Sequence, residues 1–345
     1  MSKIIRIGMD TSKHLFELHG VDAGEQVALR KRLRRRELES FFRSLPPTVV
    51  AIEACAGAHH MARQLRSWGH EPRLIAPQHA KPYRGRNKND AADAKGLCEA
   101  AGRPDMRFVP EKSPHGQAAL MLMGVRDSLI RARTQIANAI RGYAVEFGLV
   151  APKGLAHIET LLQRAAADPD LPPLAAKLLA LEGERYGALA APIAEVEAEL
   201  RAFVRASEPC RRLQAIGGVG PVGAALIAIK TPDPTLFASG RAYAAWLGLT
   251  PKDHSTAGKQ RLGVITRAGD EALRAVLVAG AMAVIQQARR KGAASPWLAS
   301  MLRRKPPKLV AVALANKIAR VAWKLMTSGE RYDASRARAA APVVG

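Results

Sequence analysis

The sequence is poor in cysteine and in long uncharged apolar runs. Its three cysteines, Cys55, Cys98 and Cys210, are far apart and form no CxxC pair, so the sequence predicts neither a disulfide framework nor a zinc knuckle. No apolar run approaches the roughly 18 to 20 uncharged residues that cross a bilayer, and the opening residues MSKIIRIGMD lack the layout of a signal peptide. We therefore expect a cytoplasmic protein with reduced cysteines and no membrane partner.

Nucleotide-binding motifs are absent and acidic residues are scarce. The sequence has no Walker-type GxxxxGK[ST], and no predicted strand precedes a GxGxxG, which gives no support to a nucleotide cofactor. Asp and Glu number 30 against 53 Lys and Arg, a formal net charge of +23. Such an excess indicates a polyanionic partner. With 345 residues and 48% hydrophobic content, the chain is long enough for two folded domains and a helical connector.

Residues 1–108 have the pattern of a mixed α/β domain. Two runs near the start, IIRIGMD and HLFELHGVD, predict an antiparallel strand pair. The basic segment RKRLRRRELESFFRSL predicts an edge strand or turn leading into a helix, and strand TVVAIEA, helix HHMARQLRSWG and strand PRLIAP follow. An antiparallel start, parallel crossovers and a final helix form a ribonuclease-H-like layout. We therefore predict a fold of this type here.

Four acidic residues would meet at one edge of such a sheet. Asp10 ends the first, central strand, Glu53 ends the fourth, and Asp90 and Asp93 lie three positions apart on the last helix. Structural roles are also open to them: a turn residue, a strand-end charge, or a helix cap and a dipole partner neutralised by basic neighbours. Two carboxylates on one helix face repel unless a cation lies between them. Four together are the ligand set that holds two Mg²⁺ ions for phosphoryl transfer, and we expect that site.

Residues 109–207 predict a helical connector. The segment GQAALMLMGVRDSLIRARTQIANAIRGYAVEFG predicts a long basic helix with Arg126, Arg133 and Arg141 on roughly one face. After the break DPDLPP, the segment LAAKLLALEGERYGALAAPIAEVEAELRAFV predicts a second helical stretch with acidic positions that suit a protein partner. Packing of the two within one chain and dimer formation are both open.

Residues 208–345 predict a mainly α domain. The segment LQAIGGVGPVGAALIAIK resembles a helix-hairpin-helix, with a second helix following Pro221. Its turn, Gly217 to Gly220, predicts phosphate contact through backbone N–H groups, or a tight corner without a ligand. Beyond it, two helical stretches are predicted around a polar, basic loop, and loops of that composition carry function.

Two serines of this domain are candidate nucleophiles. Ser239 precedes a helix that begins near Arg241, and this position predicts that Ser239 caps that helix. Ser255 lies in the basic loop, beside His254, which could be a proton shuttle or a bystander. Four cations of the loop could offset phosphate charge during attack by Ser255: Lys252, Lys259, Arg261 and Arg267.

Nucleic-acid contacts are expected from basic and glycine-rich positions in every part of the chain. The first is the run Arg30 to Arg36. The others are Arg84, Arg86, Lys88, Arg126, Arg133, Gly218, Gly220, Lys259, Arg261 and Arg267.

These motifs, in this order, resemble those of the DEDD-type insertion-sequence transposases. The resemblance is carried by IGMDTSK, AIEACAG, KNDAADAKGL, IGGVGPVGAALI and AAWLGLTPKDHSTAGKQRLGVITRAGDEALRAVLV, and it covers nearly the whole chain. One departure is Ala257 in HSTAG, where the family more often has a second glycine. The resemblance implies a RuvC-like domain with catalytic Asp10, Glu53, Asp90 and Asp93, a coiled-coil connector, and a transposase domain in which Ser255 is the nucleophile.

The resemblance also implies partners. It implies double-stranded donor and target DNA, a noncoding bridge RNA that pairs with both, a homodimer or tetramer, and a bacterial or archaeal cytoplasm near the nucleoid. Two other functions stay open on the residues alone. One is a Mg²⁺-dependent RuvC-like nuclease or resolvase that hydrolyses branched DNA with the acids alone. The other is a non-catalytic nucleic-acid-binding protein, which would leave the four acids unexplained.

Overall fold

The chain divides into two compact units, Met1–Pro114 and His115–Gly345. A computed structural model describes residues 3–83, 89–256, 258–259, 261–292 and 295–333. Within those residues the first unit holds a mixed α/β sheet and the second is mostly helical. Both parts of the predicted fold class are confirmed at this level.

The first unit is built on a six-stranded sheet with the order β3-β2-β1-β4-β5-β6. Its strands are β1 (Ile4–Thr11), β2 (Leu15–Asp22), β3 (Val27–Arg34), β4 (Val49–Glu53), β5 (Glu71–Ile75) and β6 (Phe108–Val109). β1 pairs antiparallel with β2 and parallel with β4, and β4 pairs parallel with β5. This arrangement is consistent with the ribonuclease-H-like layout predicted from the strand pattern.

Helices flank the sheet and complete its core. They are α1 (Leu38–Arg43), α2 (Ala58–Ser67), α3 (Pro77–Ala80) and α4 (Asp90–Ala101). Ile7 and Met9 of β1 and Val50 and Ile52 of β4 are fully buried. Central strands covered on both faces read as continuous apolar runs, which is why these two strands could be recognised in the sequence.

The second unit is a series of helices with one small β-hairpin. The helices are α5 (Pro114–Val145), α6 (Ile158–Ala166), α7 (Pro173–Ala188), α8 (Ala190–Ala206), α9 (Glu208–Gln214), α10 (Pro221–Lys230), α11 (Gly240–Trp246), α12 (Glu271–Lys291), α13 (Pro296–Arg304) and α14 (Pro307–Ser328). The hairpin strands are β7 (Pro251–Asp253) and β8 (Leu262–Ile265).

The second connector stretch is two helices. α7 ends at Ala188 and α8 begins at Ala190. Pro192 lies four residues after Ala188, so it has no N–H to bond that carbonyl and its ring clashes with it. The proline therefore explains the break.

The two long connector helices meet within the chain. Arg126 of α5 donates to Glu197 of α8 at 2.8 Å. Met123 of α5 is buried in the same apolar cluster as Leu200 and Val204 of α8. Intrachain packing, one of the two possibilities left open by the sequence, is present at this end of α5.

One helix in the described part of the chain, α12, is long and apolar enough by length and composition to cross a membrane. Core helices of globular domains pass the same test. One face of α12 is buried in the core of the second unit: Leu273, Leu277, Ala281, Ile285 and Ala288.

Candidate functional site

The ends of the two central parallel strands bring two of the predicted acids side by side. Met9 of β1 is paired with Ile52 of β4, and Asp10 and Glu53 each follow by one position. Because parallel neighbours run in the same direction, both carboxylates lie at the same end of the sheet.

Helix α4 brings the other two acids to β1. Asn89, not Asp90, caps this helix: its side chain accepts from the Ala92 N–H at 2.7 Å. The alternative in which Asp90 is the cap is therefore wrong. Asp90 is exposed at the first helical position, whereas Asp93, one turn later, is only 7% exposed.

A glycine on β1 allows α4 to pack so closely. A Cβ at Gly8 would lie 2.0 Å from the Ala94 carbonyl oxygen and 2.4 Å from the Cys98 backbone nitrogen. Arg6 adds a second link, donating from Nε to the Cys98 carbonyl at 2.7 Å. The absence of a side chain at Gly8 thus helps to set where the acids of α4 lie relative to Asp10.

The pKa of Asp10 reflects its burial and the charges of the other three acids. Burial raises the pKa of Asp10 to about 6 from its usual 3.8, and repulsion from Asp90, Asp93 and Glu53 adds to the shift. A hydrogen bond from the Thr11 backbone opposes it. Burial and the neighbouring negative charges both disfavour the ionised form of Asp10, and a bound cation would offset both effects.

The donor chemistry of this acidic cluster (Asp10, Glu53, Asp90 and Asp93) fits a hard divalent cation, because every donor is a carboxylate oxygen. As placed in the described residues, no three His, Cys, Asp or Glu side chains approach closely enough to enclose an ion. The four acids therefore interact at electrostatic range rather than as a closed shell of ligands.

The predicted serine loop is a β-hairpin. β7 and β8 pair antiparallel through Pro251 with Ile265 and Asp253 with Leu262, and an isolated bridge joins Thr256 to Lys259 beyond them. The expectation of an irregular loop was wrong because strands of three and four residues carry too little alternation to be recognised. Ser255 lies exposed near the hairpin's tip.

Hydrogen bonds from two sides hold Ser255. Its backbone N–H donates to Asp253 Oδ1 at 2.8 Å. Its Oγ accepts from the Arg261 backbone N–H at 3.0 Å. Hydrogen bonding from the Ser255 side chain and backbone also holds the pKa of Asp253 below its usual range. Asp253 was missed from the sequence, although an acid two residues before a serine is a typical turn signal.

The base of the hairpin is fixed by close backbone approaches. Gly248 has φ +72°, and a Cβ there would lie 2.6 Å from the Ala268 nitrogen. A Cβ at Gly269 would lie 2.1 Å from the Trp246 carbonyl oxygen. Arg274 of α12 donates to the carbonyls of Leu247 and Gly269, which flank the hairpin on either side. One guanidinium thus ties both ends of the segment that carries Ser255.

The neighbours of Ser255 occupy the same hairpin. His254 pairs through its backbone N–H with the Arg261 carbonyl at 2.9 Å, and its ring lies where a Cβ at Gly263 would touch it. Arg267 is exposed at the hairpin base with φ +57°, a left-handed conformation that non-glycine residues rarely adopt.

The competing serine has the structural role predicted for it. Ser239 is the N-cap of α11, and its Oγ accepts from the Ala242 N–H at 3.2 Å. The helix-cap prediction is confirmed.

The glycine-rich turn between α9 and α10 packs against another helix. Gly218 has φ +91°, and its carbonyl oxygen would lie 1.9 Å from a Cβ at Gly280 of α12. Gly217 and Gly220 are exposed, with nothing within 4 Å of a Cβ. The turn therefore has one structural glycine and two open ones, and phosphate contact stays a prediction.

The expected basic contacts occupy different environments. Arg84, Arg86 and Lys88 lie outside the described residues. Arg126 pairs with Glu197, and Arg133 is half-buried on α5. Lys259 and Arg261 lie exposed on the serine hairpin.

Comparisons with known proteins identify the family of this chain. A family model described as "Transposase", for the DEDD transposases of the IS110 type, matches residues 7–147. A second, described as "Transposase IS116/IS110/IS902 family", matches residues 210–295. The first range holds all four acids and the second holds Ser255.

Full-length relatives carry the same name. A relative from Sinorhizobium fredii, also named as a transposase, is 62% identical over 98% of this chain and 88% of its own length. The transposase for insertion sequence element IS1328 of Yersinia enterocolitica is 38% identical over 96% of this chain and all of its own. The transposase for element IS1111A of Coxiella burnetii is 36% identical over 96% of this chain and 92% of its own. Identity of this extent, together with the two family matches and the acids gathered at one end of the sheet, places the chain in the IS110/IS116 family of DEDD insertion-sequence transposases.

Proposed function

We propose that this transposase cuts DNA strands with a Mg²⁺-dependent site at the acidic cluster and rejoins them through a covalent intermediate on Ser255. The observation that supports it most is that the carboxylates on β4 and α4 lie close enough to Asp10 on β1 to raise its pKa. In this proposal residues 1–108 bind the metal, residues 109–207 connect, and residues 208–345 supply the serine.

The acidic cluster would hold two Mg²⁺ ions, which when bound stabilise the attacking and leaving oxygens of a phosphoryl transfer. Asp10 and Glu53 extend from strand ends, and Asp90 and Asp93 from the first turn of a capped helix. Such side chains stand on rigid elements, which suits a site that must keep its geometry through repeated turnover.

Ser255 would be the nucleophile. Its Oγ forms a bond to the scissile phosphorus and loses its proton, while the bond from phosphorus to the 3′ oxygen breaks and that oxygen leaves as a protonated 3′-hydroxyl. The phosphodiester energy is kept in the serine–DNA bond, so strands can be rejoined without an external energy source. The exposed position of Ser255 on a basic hairpin is suited to reaching a DNA backbone.

A noncoding bridge RNA would supply sequence specificity by pairing with donor and target DNA. The support is the resemblance in motifs and the net charge of +23, which exceeds what solubility requires. We propose a homodimer or tetramer as the active form. Sequencing the RNA that copurifies with the protein, with light scattering of the same sample, tests both; an absence of any discrete RNA would remove the guide.

The metal site is tested by Asp90→Asn, which removes a ligand charge and, at an exposed position, little packing. Asp105→Asn is the matched control, since Asp105 is an exposed acid in a turn of the same unit. We expect Asp90→Asn to lose strand cleavage in Mg²⁺ while keeping its fold and its DNA affinity. The control should keep cleavage, fold and DNA affinity. Cleavage at the wild-type rate by Asp90→Asn would remove Asp90 from the site.

A further inference from the structure

Ser255 is fixed by contacts that differ in chemical role. The Arg261 backbone N–H donates to its Oγ at 3.0 Å and so occupies one lone pair of the hydroxyl oxygen. The Asp253 carboxylate lies on the other side, with Oδ1 2.8 Å from the Ser255 nitrogen. A serine hydroxyl has one proton and two lone pairs. With one lone pair held by Arg261, the second lone pair and the proton are left for other partners.

We infer that Asp253 is a positioning residue for the nucleophile: its carboxylate accepts the hydrogen bond of the Ser255 hydroxyl and so aims the remaining lone pair of Oγ outward. This inference rests on the proposed role of Ser255. The register of the hairpin supports it, because Asp253 is the last residue of β7 and pairs with Leu262, next to Arg261. Both groups that hold Oγ are thus set by the same strand pairing.

Among the described residues, Asp233 and Thr235 share the backbone part of this pattern, and no nucleophile is proposed at Thr235. Asp233 Oδ1 accepts from the Thr235 N–H at 2.9 Å and from its Oγ1 at 2.7 Å. There the carboxylate caps the one-turn 3-10 helix Pro234–Leu236. The additional donor from across the hairpin, the Arg261 N–H, distinguishes Ser255. Asp233 therefore serves as a matched control.

The contact can be measured without DNA by replacing Ser255 with cysteine. In a Cys55→Ser, Ser255→Cys background, the introduced thiol is the exposed one, since Cys98 and Cys210 are buried. The pH dependence of its alkylation by iodoacetamide gives its pKa. An adjacent carboxylate raises a thiol's pKa, whereas the cations of Lys259 and Arg261 lower it. Adding Asp253→Asn leaves those cations in place, so its effect isolates the carboxylate.

We expect Asp253→Asn to lower this thiol pKa by about 0.5 pH unit or more, and Asp233→Asn to leave it unchanged. Equal pKa values with and without Asp253→Asn would show that the carboxylate does not contact the side chain at position 255, and would overturn the inference. Thermal unfolding of each variant checks that the hairpin's unit still folds.

The consequence for the reaction is measured as the amount of covalent protein–DNA adduct formed with guide RNA and Mg²⁺. Asp253→Ala should lower adduct formation at least about tenfold. Asp253→Asn, whose amide oxygen still accepts hydrogen bonds, should recover most of it. If the wild type forms the adduct and Asp253→Ala forms as much of it, the positioning role of Asp253 is overturned and the proposed role of Ser255 is not. No adduct from the wild type would overturn the proposed role of Ser255 and this inference with it.

Discussion

The two sites of this chain are built in opposite ways. The acidic cluster stands on the ends of buried strands and on a capped helix, and its position depends on packing between β1 and α4. The serine stands near the tip of an exposed hairpin whose strands have three and four residues. There the position depends on a few hydrogen bonds and on the anchoring of the hairpin base by Arg274.

The difference indicates which changes each site tolerates. A site set by core packing is sensitive to a single added methyl group at a residue that carries no carboxylate itself. A site set by local hydrogen bonds tolerates added volume but loses its geometry when one partner is removed. Substitutions of matched type in the two regions should therefore have different effects.

Matched glycine substitutions should give the largest contrast. Gly8→Ala places a Cβ 2.0 Å from the Ala94 carbonyl oxygen, so α4 must move, and we expect a loss of about 3 kcal/mol in the free energy of unfolding. Gly258→Ala in the hairpin meets nothing within 4 Å and bears only the strain of φ +79°, a cost of about 1 to 2 kcal/mol. Urea unfolding measures both. Equal losses would contradict a packing role for Gly8.

Matched acid substitutions should differ in sign. The pKa of Asp10 is about 6 when folded against 3.8 usually, so the folded state loses stability as pH rises from about 4 to about 6. In EDTA at pH 7, Asp10→Asn should then raise the free energy of unfolding by about 1 to 2 kcal/mol, allowing for solvent screening. Asp253→Asn should not raise it, because hydrogen bonding keeps the pKa of Asp253 low. Thermal unfolding between pH 4 and 7 provides the measurement, and a wild-type curve parallel to that of Asp10→Asn would contradict the raised pKa of Asp10.

Matched serine substitutions should separate structure from chemistry. Ser239→Ala removes the cap of α11, which should cost about 1 kcal/mol and leave activity measurable. Ser255→Ala, at an exposed site, should cost less stability than Ser239→Ala yet abolish recombinant product. Thermal unfolding and a strand-transfer assay on both variants test this. Loss of recombinant product in Ser239→Ala, with product retained in Ser255→Ala, would make Ser239 the better candidate for the nucleophile.

The smallest effect is expected at the basic run Arg30 to Arg36, which covers the end of β3 and the two residues after it. Arg32 pairs with Glu17, and Arg35 donates to the Ser12 and Lys13 carbonyls, so these two arginines contribute to the structure of the unit. Replacing the exposed Arg30, Arg34 and Arg36 by Gln should reduce the salt dependence of RNA or DNA affinity by a slope of about 2 to 3. Filter binding at several salt concentrations measures it. An unchanged slope of log affinity against log salt concentration would mean that these arginines face solvent and do not contact nucleic acid.

Much of the sheet could be predicted because buried parallel strands give continuous apolar runs ending in acids, as in VVAIE and IIRIGMD. From that order alone Asp10 and Glu53 could be placed together. The close approach of α4 could not be predicted, since in the sequence Gly8 resembles any other glycine. Arg274 was missed for a related reason, because its partners are backbone carbonyls that no residue pattern identifies. Asp253 could have been found, since an acid two residues before a serine is a turn signal.

The central claim, that Ser255 carries the DNA strand during transposition, is tested most directly by locating the covalent bond. Wild-type protein would be incubated with labelled donor DNA, guide RNA and Mg²⁺, denatured, digested with nuclease and protease, and its peptides mapped by mass spectrometry. The account predicts a nucleotide phosphate on the peptide that contains Ser255, absent in Ser255→Ala and in Asp90→Asn. A nucleotide on a peptide without Ser255, or cleaved DNA with free 5′-phosphate ends and no labelled peptide, would contradict it.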